Sequence, residues 1–143
     1  MTTTELVALS LSDATRSTAG IVLLTLVAVE SGGVLLLRIA RGRVTATPFQ
    51  QAFFRAGHAH AGVLVTLALV CQILADAAET SGAVELVARN GIPAAAVLMP
   101  AGFFLSAAGR GATKPNRLIY LLYAGAVCLA AGAVSLGVGL LIA

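Results

Sequence analysis

The chain has 143 residues, of which 59% are hydrophobic and only 10% charged. A soluble globular domain carries about 25% charged residues, so this composition excludes an ordinary water-soluble fold and points to a lipid environment. The net charge of +3 is not a nucleic-acid signal, because the basic residues sit at the borders of apolar runs.

The opening segment, MTTTELVALSLSDATR, lacks the basic start of a secretory signal and reads as a short exposed or interfacial stretch. Four apolar stretches follow, each near the roughly 20 residues that cross a bilayer. They place spans at about 18–40, 51–75, 90–109 and 118–142 of one domain covering 1–143. The expected fold is an all-α membrane protein, a bundle of four transmembrane helices. The connections RGRVTATPF and RGATKPNR are short and carry Pro48 and Pro115, whereas DAAETSGAVELVARN reads as a longer acidic loop. In the third span Pro93 is near the start, and central Pro100 removes a backbone hydrogen bond and predicts a kink.

Seven of the nine basic residues (Arg38, Arg41, Arg43, Arg55, Arg110, Lys114, Arg117) flank the first and third connections. Five of the six acids (Glu5, Asp13, Asp76, Glu79, Glu85) belong to the opposite end. The positive-inside rule puts the basic end in the cytoplasm and both termini outside, in a multi-pass protein of the plasma membrane. Cys71 and Cys128 lie within apolar runs and read as buried small hydrophobes. In the fourth span Gly125, Cys128, Gly132, Ser135 and Gly139 recur every three or four residues. That is a small-residue packing stripe, facing another helix of the chain or a second copy.

Ionisable groups at membrane depth are costly and tend to be functional. Here they are Glu30, His58 and His60, with Arg55 just inside the border. Counting along the hairpin of the first two spans puts Glu30 and His60 at similar depth, a pairing by which a carboxylate can orient an imidazole. Positions two apart differ by about 200° around a helix, so His58 and His60 cannot both bind one metal ion. His58 shares a face with Phe54, Arg55 and Gly62; His60 shares one with Ala56, Gly57 and Leu64. Gly57 and Gly62 leave room for a flat group near the backbone. A haem needs one axial imidazole, an apolar slot and a cation for its propionates, which Arg55, Arg38 or Arg117 supplies. Interhelical hydrogen bonding by the histidines, or a proton relay, fits the same residues.

AHAGVL in the second span and AGFFLSAAGRGATKPNR after the third resemble the styrene oxide isomerase family over about a third of the chain. The resemblance implies a small four-span trimer that holds haem b near a subunit interface, its ferric iron acting as a Lewis acid on an epoxide. Ala59, His60 and Gly62 match the family's Ala-His-x-Gly, which makes His60 the implied iron ligand. Gly102, Phe103 and Leu105 resemble its Gly-Phe-Tyr-Leu, and Pro115, Asn116 and Arg117 its Pro-Asn-Arg. The family's catalytic tyrosine falls at Phe104, its aspartate at Ala96 and its asparagine near Thr66, so the resemblance implies a haem site retained without the isomerase machinery. It leaves room for a small apolar substrate and for redox or gas-binding chemistry. The competing readings are a small proton-coupled transporter using Glu30 in VAVESGG, against which the scarcity of aromatics counts, and a structural assembly subunit.

Overall fold

The computed structural model describes residues 11–78 and 80–142. Positions 1–10, with Glu5 and most of the expected interfacial segment, lie outside the described residues, as do Glu79 and Ala143. The chain forms four helices: α1 (Asp13–Ala40), α2 (Pro48–Ala77), α3 (Gly82–Ser106) and α4 (Ile119–Ile142). All four are long and apolar enough to cross a membrane, and no strand occurs among the described residues. The fold is the expected four-helix membrane bundle.

Local signals set the helix ends. Ser12 caps α1, its hydroxyl accepting the Thr15 N–H, with Asp13 in the first turn and Arg38 in the last, each favourable to the helix dipole. Thr47 and Gln50 form a reciprocal capping box on α2, so Pro48 starts this helix, with the N–H that proline lacks falling where none is needed. The greatest departure from expectation is at α3. Its helix begins at Gly82, and most of the stretch read as an acidic loop is its first two turns. The charges there are paired within the fold: Arg89 Nε bonds Glu85 one turn earlier at 3.0 Å, and Arg89 Nη1 bonds Asp76 of α2 at 2.9 Å. Polarity that looked like solvation is an internal network. α3 also ends at Ser106, before Gly109, which has a φ of +123° in the connection to α4.

Ser12 bonds Asp76 through its N–H (3.0 Å) and hydroxyl (2.7 Å), and Gly139 packs on Thr80. The start of α1 and the end of α4 therefore share one end of the bundle with the α2–α3 connection. At the other end Thr47 and Gln50 bond the α3–α4 connection through the carbonyls of Ala112, Ala107 and Gly109. The seven basic residues of the two connections thus lie together. Asn116 closes α3 by donating from its amide to Leu105 O at 3.0 Å, and its Oδ1 receives Leu118 N–H at 2.8 Å.

α2 packs between α1 and α3, and α4 packs on α3. The core joins Leu64, Val65, Ala68 and Cys71 of α2 to Ala88, Ile92, Ala95 and Met99 of α3. Both cysteines are free, Cys71 buried and Cys128 half-buried. The small-residue stripe of α4 faces α3 of the same chain. A Cβ on Gly132 would lie 2.9 Å from Ile92 N and 3.0 Å from Gly91 Cα; one on Gly125 would lie 2.6 Å from Met99 Cγ. By contrast α1 buries only Thr15 and Val22, and its outer side exposes Leu24 and Val27 at 75% and 73%. In a membrane that flank meets lipid or another subunit.

Both prolines lie within the continuous α3. Pro93 cannot give an N–H to Arg89 O, four residues back; the buried Gln72 of α2 donates its Nε2 there instead. Gln72→Leu is expected to cost about 1–3 kcal/mol by orphaning that carbonyl, measured by chemical unfolding in micelles. Adding Pro93→Ala, which restores the backbone donor, should recover part of the loss.

Candidate functional site

The midsection of α2 carries both imidazoles, and they do point apart. His58 faces α1. A Cβ on Gly33 would come within 3.3 Å of its Cε1, and one on Gly32 within 3.5 Å of its Nδ1. The Gly32–Gly33 pair is what lets α1 lie against the ring. His58 Nδ1 is buried and has no hydrogen-bond partner.

His60 faces α3, its ring centroid 4.9 Å from that of Phe103, which meets Phe53 edge-on at 5.5 Å. Its Nδ1 lies 2.7 Å from Ala56 O, one turn back. A carbonyl only accepts, so Nδ1 is the donor in this contact. The ring is half-buried in apolar surroundings. The contact fixes the orientation of the ring on the helix.

The other expected site residues are distributed as follows. Phe54 stacks on Phe104 at 5.4 Å between centroids. Gly57 offers no open slot: a Cβ there would lie 2.9 Å from atoms of Phe103 and Phe104, so the space is used for close α2–α3 packing. Gly62 is open, with nothing within 4 Å of an added Cβ, and lies in an outward groove with His58, Ala59, Val63 and Thr66. Arg55 is exposed and lines a groove with Leu36, Leu37 and Ala40 at the basic end. It is five residues from His60, roughly 140° around the helix, and so on the His58 side. Arg117 is exposed in the α3–α4 connection.

Glu30 is the expected neighbour the structure does not bring in. It is exposed on α1, whereas Gly32 and Gly33 of α1 lie against His58 of α2. Equal depth brings two residues together only if their faces agree, and Glu30 lies on the outer side. No group of three or more His, Cys, Asp or Glu is placed to share a metal ion among the described residues.

No family model matches the chain, and no curated protein or solved structure does.

Two features escaped the sequence reading. One is the Arg89–Asp76–Ser12 network, whose signal was the Glu85–Arg89 spacing of one helical turn. The other is a cavity of about 260 Å³ between α1, α2 and α3, lined by Thr25, Val29, His58, Ala96, Pro100 and Phe104 among others. Its signal was the placement of two glycines of α1 level with His58.

Proposed function

We propose that the chain is an integral membrane protein that binds haem b, with His60 as the axial ligand. The observation that supports this most is the bond from His60 Nδ1 to Ala56 O, which leaves Nε2 free to donate its lone pair to iron. Phe103, itself edge-on to Phe53, gives the ring an apolar neighbour, and the basic end of the bundle provides cations for propionates. Arg117 suits this better than Arg55, which lies on the other side of α2.

When bound, haem b supplies an iron that acts as a Lewis acid, takes up a gas or passes electrons. The chain's own residues hold the imidazole in one tautomer and keep water from its apolar flank. Phe104 and Ala96 offer neither a proton nor a charge, so an epoxide isomerase mechanism of the resembled kind has no acid–base groups there. A small apolar substrate, a trimeric assembly that covers the open flank of α1, and residence in the plasma membrane belong to the same reading.

The test is the pyridine haemochrome assay on protein purified from haem-replete cells. About one haem b per chain is expected; protein without haem, and unable to take up added haemin, contradicts the proposal.

A further inference from the structure

The two ends of the bundle treat their arginines differently. At one end Arg16 pairs with Asp13, and Arg89 pairs with Asp76 and Glu85. At the basic end no cation makes an ion pair among the described residues. Five of its seven cations are in the connections and Arg38 is in the last turn of α1, whereas Arg55 is set deeper, on α2. A helix of 30 residues spans about 45 Å, against about 30 Å of hydrocarbon. With α2 centred in the bilayer, roughly 7 Å of it projects at each end, so Arg55, roughly 10 Å along it, starts just inside the hydrocarbon.

The Arg55 guanidinium has no ion-pair or hydrogen-bond partner among the described residues. It lines a groove between α1 and α2 with Gln51, one turn before it, and with Leu36, Leu37, Ile39 and Ala40 of α1. Gln51 donates one amide hydrogen to Ala46 O at 3.0 Å and has a second to give. A cation at the edge of hydrocarbon is costly without an anion, and the planar fork of arginine matches a phosphate. The aliphatic wall beside it matches an acyl chain, so the groove presents both halves of a phospholipid site. Charge then selects the class. Arg38, Arg41 and Arg43 cluster here, while the nearest carboxylate along α1, Glu30, lies six residues before Leu36. Nothing at this end receives the ammonium of a zwitterionic headgroup, whereas a headgroup of net negative charge is attracted.

We propose that the α1–α2 groove at the basic end binds one anionic phospholipid, its phosphate held by Arg55 and Gln51 and one acyl chain lying on Leu36, Leu37 and Ile39. The site is independent of a haem on His60, since Arg55 lies on the His58 side of α2.

The test is native mass spectrometry of the full chain released from micelles holding equimolar phosphatidylglycerol and phosphatidylcholine with identical acyl chains. About one phosphatidylglycerol per chain should be retained, with a preference over phosphatidylcholine of roughly tenfold. Arg55→Gln should reduce that preference to within about twofold. Arg110→Gln, which removes the same charge from the α3–α4 connection, should leave it within about twofold of the unmodified protein. Glycerophosphoglycerol, the headgroup without its chains, should not displace the lipid at roughly hundredfold excess. Equal retention of the two lipids, or a preference that survives Arg55→Gln, overturns the proposal. So do equal losses in both variants, the mark of a diffuse basic surface, and displacement by the bare headgroup, the mark of a phosphate site with no place for a chain.

Discussion

Gly102→Ala is expected to destabilise the bundle by about 2 kcal/mol, whereas Gly137→Ala should stabilise it by up to about 1 kcal/mol. The two substitutions add the same methyl group to a helix interior. At Gly137, on α4, a new Cβ meets nothing within 4 Å, so only the gain in helix propensity remains. At Gly102, on α3, it would lie 2.8 Å from Leu122 Cα and 2.7 Å from its Cβ and would also collide with Leu122 N. A backbone atom cannot move aside as a flexible side chain can, so α3 and α4 must separate. Without a strong hydrophobic drive between helices in lipid, close backbone approach is what holds them. Gly91 and Gly132, which face each other across the same seam, should behave like Gly102. Reversible unfolding in mixed micelles reads the sign of each change; a uniform response at Gly102 and Gly137 contradicts the packing account.

The second large effect is expected at His60. His60→Gly should yield protein that folds but carries no haem, and millimolar imidazole should restore part of the haem content by occupying the vacated space. His58→Gly should keep its haem. The asymmetry follows from the two rings' surroundings: one has its Nδ1 bonded to Ala56 O and its other nitrogen free, and the other lies against Gly32 and Gly33 of α1. Absorption spectra of the two variants, with and without imidazole, check it. Haem loss at His58 but not at His60 would move the ligand to the other side of α2.

The four helices were legible in the sequence because apolar length alone specifies a span, and the divergence of the histidines followed from helical pitch. The beginning of α3 was not legible: Glu85 and Arg89 look like loop polarity until Asp76 and Ser12 of other helices are brought to them. Pro48 was assigned to a connection, yet behind a Thr47–Gln50 box it opens a helix. The glycine stripe of α4 was visible as a stripe, but its partner depends on tertiary pairing, and that partner is Gly91, Ile92 and Met99 of α3. At the site, depth along a helix could be counted while rotation between helices could not. That is why Glu30 was matched to His60, although it lies on the exposed side of α1 and the glycines beside it meet His58.

The most direct test of a haem held by His60 is the visible absorption spectrum of the purified protein beside that of His60→Ala, both prepared from haem-replete cells. The account predicts a red protein with a strong Soret band and a folded, colourless His60→Ala. A Soret band of equal intensity in both, or a colourless wild type that haemin does not reconstitute, would contradict it.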